Sequence, residues 1–208
     1  MSAASPARHV AAVVVVAMAE EAEPFLNALL ERGAAEPEPP TPLGEARARS
    51  LRLPGEQAEH ELILVRSGIG LVAAASALAT ILTRVRPDAI VSAGTTGGLG
   101  REVEVGDVCA STALAYTDAD ATAFGYAYGQ TPGQPAVFEG DPALLSRLAA
   151  VGPAALAGAT PSSGSARIRT GQMLSGNSFV TAANAGRARE LFPEAVSTDM
   201  ESTALAQV

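Results

Sequence analysis

The sequence predicts an α/β protein built on a largely parallel sheet with helices on both of its faces. Three observations carry this. Short apolar runs rich in β-branched residues alternate with longer stretches of helical periodicity, and strands buried on both faces read as such continuous runs. The intervening helical segments are long enough to serve as right-handed crossovers between parallel strands. Glycines gather where a predicted strand ends, above all in Gly94 to Gly100, where the backbone must turn or approach something closely.

Taken in order, Val10 to Met18 is a valine-rich strand, and Glu21 to Arg32 follows as a helix with Phe25, Leu26, Leu29 and Leu30 on one side. Residues 33–50, with Glu-Pro-Glu-Pro-Pro and Pro-Leu-Gly, read as a surface connection holding an edge hairpin with Ala48 to Leu53. Glu61 to Arg66 is a strand, Ser67-Gly68-Ile69-Gly70 a tight turn, and Leu71 to Val85 a helix that Arg86-Pro87 should end. Asp88 to Ala93 is a strand running into the glycine-rich segment. Val108 to Tyr116 is another, and after a long loop Pro142 to Ala150 reads as a helix bounded by Gly152-Pro153. Ile168 to Ser175 is a strand, Ala182 to Leu191 a helix, and Ala195 to Met200 a last strand leading into Ser202 to Val208. Residues 1–208 read as a single domain without internal repeats, with residues 1–8 expected to be disordered.

The charge balance limits the partners. A net charge of −8 with no cluster of Lys or Arg argues against nucleic acid, whose binding requires many phosphates to be neutralised. Cys109 has no second cysteine to pair with, and with His9 and His60 it offers no zinc spacing, so neither a metal nor another cofactor is expected. Arg8, the apolar run to Ala19 and the small residues Ala17 and Ala19 imitate a secretory signal. Against that, the run is rich in valine and leads into Glu20, Glu21 and Glu23, as a buried strand feeding a helix does. No other apolar run reaches the ~20 residues of a membrane helix. A cytoplasmic protein with no membrane association is expected.

In an open parallel sheet, ligands bind beyond the carboxyl ends of the strands. Met18 to Glu21, Gly94 to Gly100 and Asp199 to Glu201 all lie at such ends, and two of these segments bring carboxylates. Each has an ordinary explanation. Acids in a first helical turn offset the helix dipole, and the glycine segment matches neither the dinucleotide nor the P-loop spacing, so a plain tight turn accounts for it. Asp199 and Glu201 alternate along a strand end, so only one of them readily faces a given cleft.

Together, the blocks AMAEEAE (17–23), RSGIGLVAAA (66–75), SAGTTGGLG with VEVGD (92–107), YTDADATAFGYAYGQTPGQPA (116–136), SGNSFV (175–180) and FPEAVSTDMESTALA (192–206) span nearly the whole chain. Through them the sequence resembles the methylthioadenosine/S-adenosylhomocysteine nucleosidases, within the wider nucleoside phosphorylase fold. The TAFGYAYGQ loop and the DMESTA block are the specific ones. The resemblance implies a three-layer α/β architecture and cofactor-free hydrolysis of the N-glycosidic bond of a purine nucleoside.

It also implies roles for particular residues. Glu21 resembles the carboxylate that orients and activates the attacking water. Glu201 resembles the glutamate that holds the ribose hydroxyls and stabilises an oxocarbenium-like sugar; its ordinary reading is a helix-start acid near Ser202. Met200 would pack on the sugar and Phe179 would stack on the purine, with Ser178 in the same binding segment and the Val180 backbone meeting the adenine edge. A core phenylalanine beside a β-branched residue is the plainer account of that last pair. Thr95 and Gly97 would line ribose and base, although the family carries Ser-Ala where this chain has Thr95-Thr96, a change that adds bulk. Ile69 would line the pocket for the 5′ substituent. The loop from Thr117 to Pro135, with Phe124, Tyr126 and Tyr128, resembles the region through which family dimers exchange contacts, so a homodimer is implied.

The same fold hosts phosphorylases. Here Glu20, Glu21 and Glu23 stand without an adjacent Arg or Lys and would repel a phosphate dianion, so water is the expected nucleophile. Past the DMESTA block, family members continue through a strand ending in an Arg-x-x-Ser-Asp type motif, whose Asp protonates the departing purine, and then a closing helix. Val208 ends an apolar segment with neither a glycine cap nor a basic last turn. The residues as written are therefore expected to be weakly active or inactive and prone to associate, within a competent longer parent. Two further readings are a futalosine-type purine nucleosidase and a nucleoside-binding protein without catalysis.

Overall fold

A computed structural model describes residues 7–35, 39–55, 58–157, 159 and 165–208. The chain forms two compact units, one made of the residues up to Thr95 with Val208, the other of Thr96–Gln207.

In the first unit, β1 (Arg8–Val16) leads into α1 (Ala19–Glu31), and β2 (Thr41–Leu43) and β3 (Ala46–Leu53) form the edge hairpin. Then come β4 (His60–Arg66), α2 (Leu71–Leu82) and β5 (Val85–Ser92). The sheet order is β2-β3-β4-β1-β5. β1 pairs in parallel with β4 and β5, while β2 and β3 are antiparallel at the edge. The valine run explains the central place of β1. Val14 and Val16 pack with Leu51 and Leu64 beneath Ala22, Phe25, Leu26 and Leu29 of α1. Val13 and Val15 point to the other face and are equally buried. Each such side chain contributes roughly 1.5–3 kcal/mol on burial, so a strand lined on both faces is the natural centre. α2 buries Ala74, Ala77, Leu78 and Ile81, one helical stripe, and packs near β5 and β2.

The helix predicted to reach Val85 ends at Leu82, and Pro87 sits inside β5 rather than stopping a helix. β5 is the outer strand of its sheet, where a missing N–H breaks no ladder on the open side. Of the stretch 1–8 expected to be disordered, residues 1–6 lie outside the described residues. Arg8 opens β1, its guanidinium 2.8 Å from Glu61. Residues 36–38 of the proline-rich connection are likewise outside the described residues.

The second unit contains β6 (Gly97–Gly98), β7 (Val108–Tyr116), β8 (Phe138–Glu139), α3 (Pro142–Ala157), β9 (Ile168–Ser175), α4 (Ala185–Leu191), β10 (Ala195–Asp199) and α5 (Ser202–Gln207). Its sheet order is β6-β10-β9-β7-β8. β9 is parallel to β10 and to β7, and the two-residue strands β6 and β8 are antiparallel edges. Leu99, Ala115, Leu174, Ala185, Phe192 and Ala195 form its core cluster. At the amino ends of β7 and β9, Asp107 accepts hydrogen bonds from the Glu104 and Arg167 amides and from Arg169 Nε at 2.7 Å. Those donors, Arg169 foremost, hold the Asp107 carboxyl down at about 2.

α3 continues through Gly152 and Pro153 to Ala157 instead of stopping before them. A Cβ on Gly152 would fall 2.0 Å from Ile168 Cδ1, so this glycine answers to packing against β9 and not to helix termination. α4 starts at Ala185 because Thr181 to Asn184 make their own turn, Asn184 Oδ1 accepting the Thr181 amide at 2.8 Å. The glycine-rich segment is partly a strand, β6, and not only a turn.

Candidate active site

In the first unit the carboxyl ends of β4, β1 and β5 lie side by side, and three of the singled-out residues are found there. Glu21 is the third residue of α1. Its Oε2 accepts the amide hydrogens of Ala17 at 2.9 Å and Met18 at 3.1 Å, half of a capping-box arrangement. Its Oε1 accepts the Thr95 amide at 2.8 Å and the Thr95 hydroxyl at 2.9 Å. The ordinary role as a helix-start acid is therefore real, but it uses one oxygen, and the other is gripped from the end of β5. Glu20 and Glu23 are exposed. Ile69 projects from the turn after β4, 49% exposed, between Gly68 and Gly70, whose φ of +87° and +105° explain the two glycines.

In the second unit the carboxyl ends of β10, β9 and β7 adjoin in the same way. The two acids of the DMESTA block part company there. Asp199 Oδ1 accepts the Ser175 hydroxyl at 2.5 Å and the amides of Glu201 and Ser202 at 3.2 Å, and Oδ2 accepts the Ser202 hydroxyl. Ser175 Oγ in turn accepts the Thr203 amide at 2.8 Å, and the Thr203 hydroxyl donates to the Ala115 carbonyl at 3.0 Å. Ser175 and Thr203 are fully buried. This chain of bonds ties the ends of β10, β9 and β7 to the start of α5. Asp199 thus caps the helix, and Glu201, half-buried, keeps its Oε2 within 3.2 Å of the Met200 amide.

Around these acids, Gly97 and Val180 are neighbours: a Cβ on Gly97 would lie 3.3 Å from Val180 Cβ. Val180 packs against the core cluster, so its side chain is structural. Phe179 is 72% exposed, which rules out the plain core reading, and Asn184 Nδ2 holds its carbonyl at 2.8 Å. Ser178 is exposed and Met200 half-buried. The hydroxyl that Thr96 adds donates to the Thr198 carbonyl of β10 at 2.8 Å, so part of the extra bulk fastens β6 to β10.

The sequence and the architecture match known proteins. The family model described as the phosphorylase superfamily matches residues 11–208. A methylthioadenosine/S-adenosylhomocysteine nucleosidase from Neisseria meningitidis, in complex with methylthio-immucillin-A, is 33% identical, with 95% of this chain and 78% of that one covered and a TM-score of 0.79. The corresponding enzyme from Colwellia psychrerythraea, in complex with adenine, is 31% identical over 95% and 75% of the two chains at a TM-score of 0.78. That from Streptococcus pneumoniae, with a transition-state inhibitor, is 27% identical over 95% and 78% at 0.74. The chain belongs to the methylthioadenosine/S-adenosylhomocysteine nucleosidase family of the phosphorylase superfamily. The family match reaches from within β1 to α5, so Glu21 and Glu201 both lie in the shared region.

Two features of this family member escaped the sequence. Gly94 adjoins the Glu21 carboxylate although 73 residues separate them in the chain, and the buried Ser175 and Thr203 complete the Asp199 network. No local pattern marks either. A surface depression of about 430 Å³ at the amino ends of β1 and β4, lined by His9, Arg52, Glu59, His60, Glu61 and Asp88, lies at the far end of the sheet from Glu21. Its polar groups already have partners, His9 Nε2 lying 2.7 Å from Asp88, Glu61 paired with the neighbouring Arg8 at 2.8 Å and Arg52 with Glu59 at 3.9 Å. Among the described residues, no group of three or more His, Cys, Asp or Glu could hold a metal ion, and no helix is long and apolar enough to cross a membrane.

Proposed function

We propose that this chain hydrolyses the N-glycosidic bond of 5′-methylthioadenosine and S-adenosylhomocysteine, releasing adenine and the 5-thioribose product. The observation that carries the reading is the Glu21 carboxylate, held by four donors at the carboxyl end of β1. A carboxylate fixed in this way orients a water and takes its proton as the water oxygen bonds to the anomeric carbon and the bond to the purine nitrogen breaks, the purine nitrogen taking a proton from solvent as it leaves. Glu201 holds the ribose hydroxyls and offsets the positive charge that grows on the sugar. Phe179 stacks on the purine, with Ser178 and the Val180 backbone beside it. Met200, Thr95, Gly97 and Ile69 line the sugar, base and 5′ substituent. The relatives' complexes with adenine and with a transition-state inhibitor support this assignment.

The reading extends to a cytoplasmic homodimer acting in methionine salvage, with the 117–135 loop at its interface. Phe124, 84% exposed, supports that role for the loop tip, whereas Tyr128 packs its ring at a tilt against Phe192, centroids 5.7 Å apart, at the edge of the unit's own core. The test is adenine release from 5′-methylthioadenosine, followed by chromatography without added phosphate, for the protein and its Glu21→Gln variant. Slow release that disappears in the variant is the expected result. Release that requires phosphate would replace hydrolysis by phosphorolysis.

A further inference from the structure

Gly94 joins β5 to Thr95, and nothing in its own backbone calls for glycine. Its φ is not positive, so other residues can adopt it. The position is exposed, so no core packing demands the small residue either. What it does lack is room. A Cβ there would stand 2.8 Å from Glu21 Oε1, 3.0 Å from Glu21 Cδ and 3.1 Å from Oε2. Oε1, the atom nearest that missing carbon, is also the atom that receives both Thr95 donors, while Oε2 is the one held by Ala17 and Met18.

We propose that Gly94 is a positioning residue for Glu21, its absent side chain forming the seat in which Oε1 meets the Thr95 amide and hydroxyl. The inference rests on the reading of Glu21 as the group that activates water. A methyl group at position 94 crowds the whole carboxylate, Oε1 most, so the group must turn or withdraw, weakening its bonds to Thr95 first and those to the Ala17 and Met18 amides less. The carboxylate then loses the orientation imposed from β5. The residues assigned to sugar and base in the second unit are untouched, so substrate binding should survive.

The test is a cycle of kcat and KM for adenine release from 5′-methylthioadenosine in the parent, Gly94→Ala, Glu21→Asp and the double variant, with Glu21→Gln as a control and melting temperatures throughout. Misplacing a reacting group by about 1 Å can cost on the order of 100-fold, so Gly94→Ala should lower kcat about 10- to 100-fold while KM moves by less than about threefold. In the Glu21→Asp background the carboxylate is already withdrawn by one methylene, and the same substitution should cost much less. Equal losses in both backgrounds, or a loss carried by KM, would mean general damage and overturn the proposal. So would an unchanged kcat for Gly94→Ala beside an inactive Glu21→Gln, which leaves the reading of Glu21 intact. Persisting activity in Glu21→Gln removes that reading and this inference with it. If Gly94→Ala does not fold, Thr95→Val takes its place, since it removes the hydroxyl donor to the same Oε1; an unchanged kcat there overturns the proposal equally.

Discussion

The ends of β1 and β10 occupy equivalent places, each at the carboxyl end of a parallel strand that runs directly into a helix, and each carries acids. They use those acids differently. At β1 one carboxylate does two jobs, capping α1 through Oε2 and reaching the end of β5 through Oε1. At β10 Asp199 caps α5 and anchors the buried Ser175–Thr203 chain, while Glu201 accepts the Met200 amide beside it. Position at a strand end therefore nominates an acid, and its hydrogen-bond partners decide what it can do.

Breaking each acid in turn tests that contrast. Glu21→Gln should produce the largest change, a fall in kcat of about 10²- to 10⁴-fold for adenine release, with the fold kept because the amide oxygen can still cap α1. If its main loss were in urea stability, the two ends would be alike after all. Asp199→Asn should do the reverse: it turns an amide group toward donors that need an acceptor, leaving buried groups unpaired, and should cost about 1–3 kcal/mol in denaturant unfolding. A comparable loss in kcat without a loss in stability would move Asp199 into the chemistry.

Asp107 sharpens the contrast from outside the site. Its folded pKa lies below the ordinary value of 3.8, at about 2, so the stability it contributes is fully present above pH ~4 and is lost as the pH falls toward 2. Asp107→Asn should lower the melting temperature at neutral pH and flatten its dependence across that acidic window, with kcat at pH 7 little changed. The smallest effect belongs to Thr96→Val, which removes one hydrogen bond to Thr198 and should cost about 0.5–1.5 kcal/mol. A shift in KM for 5′-methylthioadenosine well beyond that loss would show that the β6–β10 fastening also shapes the sugar site.

Much of the fold was legible because the signals are local. The valine run, the α1 stripe of Phe25, Leu26 and Leu29 and the β-branched character of the later strands each announce their element within a dozen residues. Where reading failed, a distant neighbour had overruled a local rule. Pro87 looks like a helix stop until β5 proves to be an outer strand. Gly152 looks like another until Ile168 is found against it.

For the site, the sequence alone determined which residue types stand at the strand ends, and the resemblance of whole blocks selected Glu21 and Glu201 among the acids. Tertiary structure alone decided what those acids touch. Thr95 and Gly94 meet Glu21 across more than 70 residues of chain, and Asp199, Ser175, Thr203 and Ala115 are drawn into one buried network from three strands and a helix. Periodicity and propensity are properties of neighbours along the chain. Hydrogen-bond partnership and the room left by a missing Cβ are properties of neighbours in space, and only folding brings those together.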